Sequence, residues 1–180
     1  VMVGMSGGAY ASEMGVREQL CLRKPPSFSY AEAAALYVGF TTAYHGLVQR
    51  GRVRAGEWVL VTGAGGGMGC AAVQLAVLLG ARVIAAASSD EKLALARRLG
   101  AHHTVNYGGA GGVAALKEQV ARLTGGAMCD VVYELVGGDV FDQCVRVMGD
   151  AGRLLVVGFA GGRIPRVPAN LVLIKGFAVV

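Results

Sequence analysis

Residues 59–69 read VLVTGAGGGMG. An apolar, β-branched run enters a turn almost stripped of side chains. Gly63, Gly66 and Gly69 stand three apart. That spacing, between a strand and a helix, is the one that lets main-chain amides grip a diphosphate. Gly63 makes the turn, Gly66 lets backbone approach the phosphates, and Gly69 lets the helix pack close on the strand. Gly67 is the last residue of the turn, and Met68 then opens the helix. Its unpaired N–H groups and the positive end of its dipole favour an anion. A tight strand-to-helix turn with no ligand is the competing reading of the same glycines.

A second group lies at the end of the next strand, in AAASSDEK, residues 85–92. A dinucleotide with a free ribose 2′-hydroxyl is held there by an acid about 20 residues beyond the glycines. Here Ala87 and Ser88 occupy that position, and neither is acidic. The missing carboxylate removes repulsion against a 2′-phosphate. Lys92 supplies a cation, and Ser88 or Ser89 a hydroxyl. These residues favour NADPH over NADH. Two plainer roles compete: Ser88 with Glu91 also fits a helix capping box, and Lys92 fits a solvated surface position.

To hold such groups the chain must alternate strands and helices, and its pattern does so. Ser29–Arg50 reads as one long helix, with Ser29 and Glu32 as a capping box. Residues 51–56 read as a turn. Strands follow at 57–62, 82–87, 103–107, 130–136 and 153–159, and a sixth begins within 175–180. Helices fill 68–80, 90–100, 113–124 and 139–148, the first two ended by Gly80 and Gly100. Apolar strands alternating with helices imply a parallel sheet covered on both faces. The fold class is therefore α/β, a Rossmann-type doubly wound parallel sheet. Residues 1–28 read as irregular or short-stranded, with RKPP as a connection because proline biases its predecessor away from helix.

Composition narrows the classes. The 180 residues are 54% hydrophobic and 16% charged, which describes a folded domain rather than a disordered one. The length suits one core, or one core and a fragment of another. The apolar stretch Cys70–Leu79 is too short for a membrane span and contains Gln74. The opening VMVGMSGGAY has no basic n-region and no initiator Met, so the chain reads as part of a longer protein without a secretory signal. The net charge is +5, but it is scattered through stretches such as QRGRVR and RRLGAHH. No basic run is interleaved with aromatics, so nucleic acid is not expected as a partner, nor is a membrane. Cys21, Cys70, Cys129 and Cys144 form no CxxC pair, and these with His45, His102 and His103 give no zinc spacing. Structural thiols in a reducing intracellular compartment, and no metal site, are expected.

In combination, GAGGGMG, SDEK, NY, VGGDVF and VVGFAGG resemble the quinone oxidoreductase branch of the medium-chain dehydrogenase/reductase superfamily. The resemblance runs from SYAEAAAL to the end of the chain. In that branch the glycine motif is commonly AxxGxxG. Gly63 here stands at its first position, and Met68 where Val is usual. The resemblance implies that Thr42, in FTTAYHGL, contacts the nicotinamide end of the cofactor. It implies that Lys92 and Tyr107 hold the 2′-phosphate of NADPH. It also implies that Gly137, with Phe159 and Ala160, runs past the nicotinamide ribose. Without it, Thr42 is a helix position, Tyr107 an aromatic at a strand end, and Phe159 a core residue.

The same resemblance implies an arrangement and an activity. Residues 1–45 would be the trailing edge of a GroES-like catalytic domain and a linking helix. Residues 46–180 would be the Rossmann domain, its last strand truncated. The full-length protein would be a homodimer in the cytoplasm or a mitochondrion. It would pass hydride from NADPH to a small quinone or conjugated carbonyl without zinc. No side chain stands out as a proton donor, so no catalytic residue is named. Two alternatives stay open. Thr62–Gly69 also fits the TGxxxGxG of short-chain dehydrogenases, but Tyr107 and Tyr133 are followed four residues later by Gly111 and Gly137, not by the required Lys. The other alternative is an NADP(H)-binding sensor or scaffold without turnover.

Overall fold

The computed structural model describes residues 1–3 and 8–180. Its centre is a parallel sheet of six strands: β3 (Trp58–Val61), β4 (Arg82–Ala87), β5 (His103–Asn106), β6 (Cys129–Glu134), β7 (Met148–Val156) and β8 (Ala178–Val179). Their order is β5-β4-β3-β6-β7-β8. The chain thus winds outward from β3 in one direction and then from β6 in the other. The seam between β3 and β6 is the topological switch point of a doubly wound fold. A separate antiparallel pair, β1 (Met2–Val3) and β2 (Cys21–Leu22), lies at the N-terminal end.

Alternation along the strands divides the core in two. Val59 and Val61, with Val83, Ala85, Val131 and Tyr133, face one layer of helices. That layer is α1 (Tyr30–Tyr44) and α2 (Gly67–Leu78), whose Ala71, Ala72 and Ala76 are small enough to bring the helix close to the sheet. Leu60, Ile84, Ala86 and Val132 face the other layer, α4 (Leu116–Thr124) and α5 (Gly138–Val147). In α4 the buried positions are Leu116, Val120 and Thr124, four apart, while Lys117 and Glu118 stay exposed. The shorter α3 (Asp90–Arg98) flanks β4 and β5. Asp130 Oδ2 accepts from the Trp58 amide at 2.7 Å, pinning β6 to β3 at the start of the seam.

Three details differ from the sequence reading. The helix expected over 29–50 is α-helical only to Tyr44 and continues as a π-helix over His45–Arg50. There Gly46 lies flat against the Tyr133 ring, where a Cβ would come within 2.7 Å of Cε2. The capping box at its start is present, with Ser29 N donating to Glu32 at 2.7 Å and Glu32 N to Ser29 Oγ at 3.2 Å. The strand expected over 153–159 runs instead from Met148 to Val156, so Val157–Phe159 leave the sheet. A helix not expected, α6 (Ala169–Lys175), precedes β8. None of its residues is buried, and Leu173 and Ile174 point outward, so it carries no amphipathic period to read.

Candidate cofactor-binding site

The glycine turn caps the switch point. Thr62 N still bonds to Tyr133 O at 3.1 Å as β3 ends. Gly63 then adopts a positive φ of 59°, open to glycine at little cost. The helix begins one residue earlier than the sequence suggested, at Gly67, with Gly66 as its extended N-cap. Its first bond runs from Cys70 N to Gly66 O at 2.8 Å, which leaves the amides of its first turn without intrahelical partners. The glycines divide the work as expected. A Cβ on Gly69 would sit 2.3 Å from Gly63 O and 2.7 Å from Ala64 Cα, so helix and turn touch backbone to backbone. A Cβ on Gly67 would meet nothing within 4 Å, because that side faces an open cleft.

The cleft has two adjoining recesses. One, of about 350 Å³, is lined by Gly63, Gly66, Gly67, Met68 and Gly69, with Phe159 and Ala160 opposite. The other, of about 430 Å³, shares Gly63, Gly66, Val136 and Ala160 and adds Ser88, Lys92 and Tyr107. Ten of the sequence-predicted site residues therefore meet in one place. Two do not line it. Thr42 borders a neighbouring recess of about 270 Å³ with His45 and Arg50, which shares only Val157 with the cleft. Gly137 lies one residue beyond the lining Val136, as N-cap of α5, with its amide turned onto Glu134.

The charged end of the cleft is built at the start of α3. Here Ser89, not Ser88, caps the helix, accepting from Lys92 N at 3.5 Å. The competing capping box of Ser88 and Glu91 is therefore not formed, and the Ser88 hydroxyl does not cap the helix. Lys92 Nζ lies 3.3 Å from Ser88 Oγ, and both residues are exposed. Asp90, the nearest acid in sequence, accepts instead from Asn106 at 2.8 Å. Tyr107 is half-buried across the recess. Burial pushes its phenol up, Glu134 and Cys144 add to the rise, and the Gly63 amide opposes it.

The sequence reading missed the group beneath the cleft. Glu134 is fully buried at the end of β6. Its carboxylate accepts from Thr62 Oγ1 at 3.1 Å, Val136 N at 2.8 Å and Gly137 N at 3.0 Å. Thr62 Oγ1 in turn accepts from Leu135 N at 2.9 Å. This network joins the turn after β3 to the turn after β6. Burial raises the Glu134 carboxyl, and the amide and hydroxyl donors only partly offset that. An acid inside the apolar strand DVVYELV was the available signal.

The cradle fits a dinucleotide: amides at a helix start, glycines that leave room for phosphates, and a cation with a hydroxyl 3.3 Å apart at the far end. Among the described residues no three His, Cys, Asp or Glu side chains gather closely enough to hold a metal ion. A model of the zinc-binding dehydrogenases matches residues 67–180. The chain belongs to this family. Within it, the chain falls in the quinone oxidoreductase branch of the medium-chain dehydrogenases/reductases. Quinone oxidoreductase-like protein 2 of Bos taurus is 43% identical over 97% of this chain and 49% of its own length. The Nematostella vectensis homologue is 40% identical over 97% of this chain and 47% of its own. A solved quinone oxidoreductase from Thermus thermophilus, determined also in complex with NADPH, is 36% identical. It superposes with a TM-score of 0.84 over 99% of this chain and 55% of that one. This chain thus spans about half the length of the curated relatives it matches.

Proposed function

We propose that this chain is the cofactor-binding half of an NADPH-dependent oxidoreductase that reduces a quinone or a conjugated carbonyl without zinc. The observation that carries the reading is the far end of the cleft, where Lys92, Ser88 and Tyr107 converge and no acid does. The amides at the start of α2 hold the diphosphate with the helix dipole behind them. Lys92 and Ser88 hold the 2′-phosphate by charge-assisted and hydroxyl hydrogen bonds, and Tyr107 closes over it. Leu135, Val136, Phe159 and Ala160 give the other end an apolar wall that orients the reacting ring and keeps water from it. Bound NADPH supplies the hydride. The name and the NADPH complex of the Thermus thermophilus relative support the same cofactor and acceptor class.

The finer features follow the same reading. Residues 1–45 are the trailing edge of the catalytic domain, and 46–180 the nucleotide-binding domain. Thr42 and Gly137 approach the nicotinamide end only once that domain is complete. The protein works as a homodimer joined along β8, the outermost strand of the sheet. Four free cysteines, two of them fully buried, support a reducing cytoplasmic or mitochondrial compartment. Among the described residues no helix is long and apolar enough to cross a membrane.

The test is calorimetric titration of the full-length chain with NADPH and with NADH. The parent binds NADPH more tightly. Lys92→Ala lowers NADPH affinity by roughly 10- to 100-fold, the worth of one hydrogen bond to a charged group, and leaves NADH affinity in place. Tyr107→Phe moves the same ratio less. Equal affinity of the parent for both cofactors defeats the NADPH reading. Absence of quinone or enone reduction by the NADPH-loaded full-length chain leaves the non-catalytic module in its place.

A further inference from the structure

We propose that Asn106, which does not line the cleft, is a positioning residue that sets its preference for a phosphorylated ribose. It ties the Tyr107 wall to the Ser88–Lys92 wall and holds the Asp90 carboxylate outside them. The inference rests on the NADPH reading above and adds the residue that spaces the phosphate-binding corner.

The corner stands where two strands part. β4 and β5 pair as far as Ala87 and Asn106, and Tyr107 N donates to Ala87 O at 3.0 Å just beyond. From there one chain carries Ser88 and Lys92 and the other carries Tyr107, on either side of the recess of about 430 Å³. Among the described residues, the next hydrogen bond between these two walls is made by Asn106, whose Nδ2 donates to Asp90 Oδ1 at 2.8 Å. Its Oδ1 accepts from Gly108 N at 2.9 Å, on the far side of Tyr107. The two bonds need a donor and an acceptor on one short side chain, which a carboxamide supplies. Half-buried Asn106 thus holds the chain before and after Tyr107 to the first turn of α3.

The same tie places a charge. Asp90 lies between Ser88 and Lys92 in the sequence, and those two carry the hydroxyl and ammonium that stand 3.3 Å apart. Bound to Asn106, the Asp90 carboxylate is exposed and lines neither recess. Without that donor it turns freely at the start of α3, beside a corner built for an anionic group. A like charge so near weakens a bound phosphate and leaves an unphosphorylated ribose unaffected, so one side chain acts on both the shape and the charge of the corner.

The experiment is titration of the full-length parent, Asn106→Ala, Asp90→Asn and the double variant with NADPH and NADH, with melting temperature recorded for each. Asn106→Ala lowers the NADPH/NADH affinity ratio roughly tenfold, the loss of one charge-assisted hydrogen bond to the phosphate. Asp90→Asn alone moves the ratio by no more than about twofold, because the charge it removes is already held outside the recess. In the Asn106→Ala background the same substitution recovers at least about threefold of the ratio, because there the charge is loose. An asparagine that served the fold alone would lower both affinities together and show no such coupling. An unchanged ratio in Asn106→Ala, or additive effects of the two substitutions, overturns the inference. If Asn106→Ala does not fold, Asn106→Asp decides by the same ratio: it keeps an acceptor for Gly108 N, turns an oxygen onto Asp90, and lowers the ratio at least as far. Failure of both to fold assigns Asn106 to the fold alone and overturns the inference as well. A parent without NADPH preference refutes the cofactor reading instead, and so is distinct from failure of this inference.

Discussion

Replacing Tyr133 by Phe should make this protein more stable. Tyr133 is fully buried on β6, and its hydroxyl is the one buried side-chain polar atom without a hydrogen-bond partner among the described residues. Its ring is held against Gly46, where a Cβ would come within 2.7 Å. Phe keeps that ring contact and removes only the oxygen. Burying an unpaired hydroxyl costs about 1–3 kcal/mol, so the substitution should return at least about 1 kcal/mol. In a domain of this size that raises Tm by roughly 2–4 °C. A second signature lies at high pH. Burial pushes the Tyr133 phenol up from 10.0 to about 12. Between those values the unfolded chain releases a proton that the folded one keeps. Stability present below the lower value is therefore lost as pH rises toward the upper, by at most about 2.7 kcal/mol for two units. The Phe variant lacks that loss. The assay is urea denaturation of the full-length parent and Tyr133→Phe at neutral pH and at intervals up to about pH 12. A variant less stable than the parent at neutral pH would mean that the hydroxyl has a partner, and would refute the reasoning.

Two further outcomes test the frame around the cleft. Glu134→Ala strands two amides and the Thr62 hydroxyl beneath the cleft, and should cost about 2–4 kcal/mol in urea denaturation. Glu57 is paired with Arg153 at 2.7 Å. Burial alone would raise its carboxyl, but hydrogen bonds from Arg153 and the Arg54 amide outweigh that and hold it below the usual range. The stability this supplies is present above the unfolded carboxyl's value of 4.5 and is lost as pH falls through the lower folded one. Glu57→Gln should show a shallower loss on acid denaturation followed below about pH 5.

The sheet was legible because its signals are local. Val and Ile runs marked β3, β4, β6 and β7, and Gly80, Gly100 and Gly125 ended their helices with positive φ. The diphosphate cradle was legible for the same reason, since its glycines lie within one turn. The N-terminus of α2 was misplaced by one residue because glycine offers no capping side chain to mark it. Other features depend on partners far apart in the chain. The link from Thr62 to Glu134 spans 72 residues, and nothing near either announces the other. Within the π-helix Gly46 meets Tyr133, a contact between two elements that no single stretch encodes. The S-x-x-E spacing pointed to Ser88 as the cap, whereas the backbone makes Ser89 the N-cap, with Lys92 and not an acid three residues on.

The join between β3 and β6 is stitched at both ends by side chains, Asp130 on the Trp58 amide and Glu134 on Thr62. Such a keel resists sliding of one half of the sheet against the other. The loop from Val157 to Gly162 is lashed to the same seam, with Val157 N on Glu134 O at 2.9 Å and Gly161 N on Val136 O at 2.7 Å, while Arg163 beyond it reaches the exposed Asp139 and Asp142. In hydrogen exchange, β3 and β6 should be the last strands to take up deuterium.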